Sequence, residues 1–192
     1  TPIWAITGGS QSLVKANQEQ IVPAFVTSLA DTPAKPKTVV INILDGQTMY
    51  EITRGSDLQL GDADVTVAPP REIVLAMNDL ISGAGIQSAK ILGQYGIQYL
   101  FLKAVSDTSL IRIIDGSGGF SRMSSTSAGI VWRVAGASPR VLFIGADKSR
   151  VVVPSTNVSA EADLTQPGMV YVAEKYDRNW RLLLDGQRVP LQ

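Results

Sequence analysis

The sequence predicts a mixed α/β fold: an α/β layer over about residues 20–115, packed with an antiparallel, β-rich and sandwich-like half over about 120–192. Three observations predict it. First, apolar residues recur at helical spacing over 71–82. Ile73, Val74, Met77, Leu80 and Ile81 fall three and four apart, so one helix face is apolar. Second, that pattern ends at Gly83 and Gly85, and a second short helix over Ser88–Tyr95 ends at Gly96. The run Ile97-Gln98-Tyr99-Leu100-Phe101-Leu102 follows and is nearly continuous in apolar residues, as a strand covered on both faces requires. Third, the period changes after residue 105. Short β-type runs then alternate with Gly, Pro, Ser and Asp at the spacing of an antiparallel sheet or sandwich.

Each element has its own signal. Residues 1–20 are small and polar, with Gly8-Gly9-Ser10-Gln11-Ser12, and read as loop. Residues 21–30 suit a short helix with Pro23 in its first turn, ended by Pro33 and Pro36. Thr38–Leu44 is β-branched and apolar, Asp45-Gly46 favours a two-residue turn, and Thr48–Arg54 alternates as a half-buried strand does. Residues 57–70 read as a loop, and Leu110–Ile114 as a further short helix. The runs Phe120–Met123, Gly129–Val134, Arg140–Ile144, Ser149–Val153, Asn157–Ala160, Val170–Glu174 and Trp180–Leu184 read as strands. No linker separates the two halves, which predicts one compact body over 1–192.

Composition limits the chemistry. The 192 residues include 17 Lys plus Arg and 17 Asp plus Glu, so no overall field draws nucleic acid or anionic lipid. The apolar fraction of 45% and charged fraction of 18% mark a globular chain, and no run approaches the length of a membrane span. There is no His and no Cys. This excludes Ser-His-Asp and Cys-His nucleophiles, thiol redox chemistry and nearly all transition-metal sites. Acid–base work would fall to Asp, Glu, Lys or Tyr, and a metal would be a hard cation held by oxygen. No cofactor is implied. Both ends, Thr1-Pro2-Ile3-Trp4 and Val189-Pro190-Leu191-Gln192, read as cuts through a longer protein.

Two constellations are candidate sites. Asp62 and Asp64, one residue apart, have the spacing with which a carboxylate pair holds a divalent cation against a nucleotide-sugar diphosphate. They follow Leu58-Gln59-Leu60-Gly61, which reads as a loop, and two Asp beside a Gly also suit a turn. Tyr176, Trp180 and Arg181 lie in the densest polar and aromatic stretch. They could stack on a sugar ring or anchor a protein contact, or form a turn before a strand. Gly83-Ala84-Gly85-Ile86-Gln87-Ser88 follows a helix and not a strand, and so reads as a helix–helix joint. Gly116-Ser117-Gly118-Gly119 lacks the Lys of a phosphate loop and reads as a turn. Asn157-Val158-Ser159 matches the glycosylation triplet, to which no role is assigned.

Longer stretches carry a resemblance. Leu92–Leu102 (LGQYGIQYLFL) and Val170–Pro190 (VYVAEKYDRNWRLLLDGQRVP), with Ile130–Val134 and Pro139–Val141 between them, resemble extracytoplasmic domains of actinobacterial polytopic membrane glycosyltransferases. Trp4–Leu13, Val22–Phe25 and Arg54–Asp64 fit the same pattern, with Asn179 where a Gly usually precedes the Trp. The resemblance implies a domain outside the cytoplasmic membrane, attached to a multi-spanning protein of cell-envelope glycan assembly. Its partners would be the rest of its own chain and a glycan or lipid-linked sugar. The family's catalytic carboxylates map onto no residue here, so the resemblance implies no catalytic residue. Two alternatives stand beside it: a free-standing carbohydrate- or protein-binding module using Tyr176, Trp180 and Arg181, and a metal-dependent sugar transferase using Asp62 and Asp64.

Overall fold

A computed structural model describes residues 32–53, 69–103, 108–156 and 159–190. They form the mixed α/β fold that the sequence predicts. In chain order the elements are β1 (Lys37–Leu44), β2 (Gln47–Thr53), α1 (Arg71–Ser82), α2 (Ser88–Gln94), β3 (Ile97–Lys103), α3 (Thr108–Gly116), β4 (Phe120–Thr126) and β5 (Gly129–Val134). Then follow β6 (Val141–Gly145), β7 (Arg150–Val152), β8 (Gly168–Val172), β9 (Leu182–Leu184) and β10 (Gln187–Val189).

The main sheet has five strands in the order β2-β1-β3-β5-β4. Only β1 and β3 pair in parallel; the other neighbours are antiparallel. The β1–β2 hairpin turns on Asp45 (φ 51°) and Gly46 (φ 75°), two successive positive-φ residues that match the right-handed twist of the strands. Its burial follows position. Val39, Val40 and Ile41 in β1 are fully buried, while β2, at the sheet edge, alternates exposed with half-buried.

The described helices pack on one face of this sheet. Ile73, Ala76, Met77 and Leu80 of α1, Ala89 and Leu92 of α2, and Leu110 and Ile114 of α3 close over Val39, Ile41, Leu100, Leu102, Ile130, Trp132 and Val134. Pro70 precedes α1, and Gly83 ends it in the left-handed conformation, with the Ala84 amide donating to Asp79 O at 2.8 Å. The Gly83–Ser88 segment is a helix–helix joint. A side chain on Gly85 would come within 2.8 Å of Leu80 Cα, and buried Ser88 Oγ donates to Ala76 O at 2.8 Å. On the other face Val40, Tyr99, Phe101 and Val131 form a separate buried cluster. Both faces of β1 and β3 are therefore covered, which explains their nearly unbroken apolar sequences.

The division between the halves falls later than residue 120. Strands β4 and β5 belong to the five-stranded sheet, because β5 pairs with β3 across Tyr99↔Arg133 through Lys103↔Gly129. Periodicity shows a strand but not its neighbour. The remainder is antiparallel: β7-β6-β8, with Val141, Phe143 and Val153 buried, and the separate β9–β10 pair. That pair turns on Asp185-Gly186 at φ 49° and 78°, and its Leu183 and Leu184 are exposed. It pairs with no other strand among the described residues. Of the run expected as a strand over 157–160, Asn157 and Val158 lie outside the described residues, and Ala160 forms an isolated bridge with Ser155.

The two sheets are joined at a buried ionic cluster. Glu174, just after β8, meets Lys37 Nζ at 2.8 Å and Arg140 Nε at 3.2 Å. Lys37 Nζ also donates to Ala173 O at 3.1 Å, and Arg140 donates to Thr156 O. Removing one member of such a cluster strands buried charge. Glu174→Gln is expected to cost about 3 kcal/mol in urea unfolding. Leu183→Ala, on the exposed hairpin, is expected to change stability by less than about 0.5 kcal/mol.

Candidate functional site

Three polar constellations stand out against this framework. The first is the expected aromatic stretch between β8 and β9. It is a turn organised by Asp177, whose Oδ1 accepts from the Asn179 amide at 2.7 Å and whose carbonyl accepts from the Trp180 amide at 3.0 Å. Tyr176 is 73% exposed, Trp180 is half-buried and Arg181 is exposed. Trp180 joins none of the three buried clusters. The segment thus offers two aromatic rings and a guanidinium beside a short, backbone-bonded turn. Among the described residues no hydrogen bond joins those three side chains. Asp62 and Asp64 lie outside the described residues, as does the glycosylation triplet apart from Ser159. Among the described residues no three His, Cys, Asp or Glu are grouped to hold a metal ion, and no helix is long and apolar enough to cross a membrane.

The second constellation was not anticipated. Trp132 is fully buried, and its indole N–H requires an acceptor. Asp115, at the end of α3, supplies one: Trp132 Nε1 donates to Asp115 Oδ1 at 2.7 Å. Arg122 of β4 closes the group. Its Nε donates to Asp115 Oδ1 at 3.2 Å, it pairs with Oδ2, and its guanidinium carbon lies 5.9 Å from the Trp132 ring centre. The cluster ties α3 to β4 and β5. Burial by itself would raise the Asp115 pKa, but the hydrogen bonds from Trp132 and Arg122 and the Arg122 charge outweigh it and hold the carboxyl below its usual range. Because Asp115 accepts from both Trp132 and Arg122, the group is a structural brace.

The third is a cleft of about 420 Å³ at the end of the main sheet, whose described lining is Gln98, Ser121, Arg133, Val134, Ala135, Gly136 and Ala137. Tyr99 and Ser121 flank Arg133 on the neighbouring strands, so the three side chains share a face of the sheet. That is the face opposite the helices, since Trp132 and Val134 point into the helical core. The signal in the sequence was the single charge inside Ile130-Val131-Trp132-Arg133-Val134. Its companions on β3 and β4 could not be named without the strand pairing.

Comparison with known proteins adds no relative: no family model matches the chain, and neither a curated protein nor a solved structure matches it.

The lowered Asp115 pKa has a defined pH consequence. A carboxyl whose folded pKa lies below its unfolded value, about 3.9, contributes stability that is complete above that value and lost as pH falls through the folded one. Asp115→Asn is therefore expected to lower stability at neutral pH and to flatten the loss of stability below about pH 4. Urea unfolding at a series of pH values checks this; parallel pH curves for the two proteins would contradict it.

Proposed function

We propose that this chain is an accessory domain of a membrane-bound glycosyltransferase of cell-envelope glycan assembly. It acts on the outer side of the cytoplasmic membrane and positions a glycan acceptor, a lipid-linked donor or a partner protein. One observation carries the reading: two segments with the family resemblance, Leu92–Leu102 and Val170–Pro190, are neighbours in the fold. Tyr171 Oη donates to Gln94 O at 2.6 Å. A side chain on Gly96 (φ 74°) would come within 3.3 Å of Ala173 Cβ. The two segments that carry the resemblance thus pack together, 77 positions apart in the Tyr171–Gln94 pair, which supports reading them as parts of one domain. The test is the membrane topology of the protein encoded by the complete gene. Multiple membrane spans, with residues 32–190 cleaved by protease added outside intact cells, are expected. A reading frame without spans, or a protected domain, overturns the proposal.

A second reading is favoured by the exposure of Tyr176: a free-standing carbohydrate- or protein-binding module that uses Tyr176, Trp180 and Arg181. An exposed aromatic ring next to a guanidinium can stack on a sugar face and donate to its hydroxyls. On this reading the chain binds immobilised glycans, and Tyr176→Ala and Trp180→Ala each weaken binding at least about tenfold without loss of fold. Unchanged binding in both variants excludes the stretch as the contact.

A further inference from the structure

We propose that the cleft at Arg133 is a binding site for a small oxyanion, a carboxylate or phosphate group carried by a ligand of about monosaccharide size. Among the described residues the buried cations are matched: Lys37 and Arg140 share Glu174, and the part-exposed Arg122 pairs with Asp115. The Arg133 side chain makes no hydrogen bond or ion pair among the described residues, and it is exposed on a strand between Trp132 and Val134, which are 0% and 1% exposed. An exposed guanidinium lining a cleft keeps five N–H donors for water or a ligand.

The surroundings fit an anion and not a cation. The described lining holds no carboxylate, and Ser121, which shares the face of Arg133, adds a hydroxyl that can donate to the same oxygens. A guanidinium is shaped for two-pronged contact with carboxylate or phosphate. The rim, Ala135-Gly136-Ala137, bears nothing larger than a methyl group. Gly136 has φ 68° and nothing within 4 Å of its absent Cβ, so a ligand can approach the backbone closely. The volume of about 420 Å³ is within the range of small-molecule sites.

The site is also held in place. Arg133 is paired on both sides, with Tyr99 and with Ser121. The rim is pinned at each end, by the Ala135 amide donating to Gly119 O at 2.8 Å and the Ser138 amide donating to Gly93 O at 2.9 Å. Little ordering is left for a ligand to impose, which favours binding. The inference stands on the cleft and does not depend on the glycosyltransferase reading, whose membrane-topology test leaves it untouched.

The test is a titration of the ¹⁵N-labelled chain with inorganic phosphate, D-glucuronate and, as a neutral control, D-glucose, followed by amide chemical shifts. Saturable shifts at Ser121, Gly136 and Ala137 are expected with one or both anions at millimolar concentration, and none with glucose. A response to phosphate alone assigns a phosphate ligand, and one to glucuronate alone assigns an acidic sugar. Arg133→Gln should weaken the response at least about tenfold, Arg133→Lys less, and Arg178→Gln not at all. Because Arg133 is exposed, its variants should keep the native spectrum elsewhere. The proposal is overturned by an absence of saturable shifts, by equal shifts with glucose, or by an undiminished response in Arg133→Gln.

Discussion

The architecture depends on one carboxylate. Glu174 leaves the three-stranded sheet and is inserted between Lys37, the first residue of β1, and Arg140, the residue before β6. All three side chains are about nine-tenths buried. Removing such charges from water costs several kcal/mol each, which only close geometry and further hydrogen bonds can offset. Both are present, because the ammonium also reaches Ala173 O and the guanidinium reaches Thr156 O. The backbone follows the same seam. Lys37 N donates to Gly96 O, Arg140 N to Ala34 O and Ala173 N to Arg140 O. An apolar joint of similar size would fill the space but would not set the register of the two sheets so closely.

The seam also explains several glycines and small residues. Gly93 lies against the Gly136–Ala137 backbone, with 3.3 Å to where its side chain would begin, and Gly96 lies against Ala173. Helix α2 and the turn after it must approach the second sheet closely for Glu174 to reach its partners. The same approach places the Ala135–Ala137 rim at the end of β5, where it borders the Arg133 cleft. The joint between the sheets and the candidate site are thus linked by one short segment, residues 135–140.

The chain applies two opposite rules to its charges. At the seam and at the Asp115 brace, cations in or beside the core receive carboxylates, and the lowered pKa of Asp115 is the electrostatic record of that pairing. At Arg133 the same strand that buries Trp132 presents an unmatched guanidinium to a cleft. Because the 17 acidic and 17 basic residues balance overall, any ligand preference must come from such local arrangement and not from a general field.

The sequence alone determined the elements that rest on local physics. The Asp45-Gly46 and Asp185-Gly186 turns need two residues at positive φ. Helix α1 carries its apolar face at spacings of three and four, and β3 is nearly continuous in apolar residues because both faces are covered. These depend on a residue and its near neighbours, and so they were legible. Strand partnership was not, because it is a long-range choice. Nothing local in Phe120–Val134 distinguishes joining the β3 edge from starting a new sheet. The aromatic stretch at Tyr176–Arg181 was legible as composition, while its turn geometry required the Asp177 hydrogen bonds. The Arg133 cleft was visible only as one charge in an apolar strand. Tertiary structure alone set Tyr99 and Ser121 on either side of Arg133, brought Gln98 and the 135–137 rim to it, and gave Lys37, Arg140 and Glu174 one another, because hydrogen-bonded sheets and buried charges join residues that the chain keeps far apart.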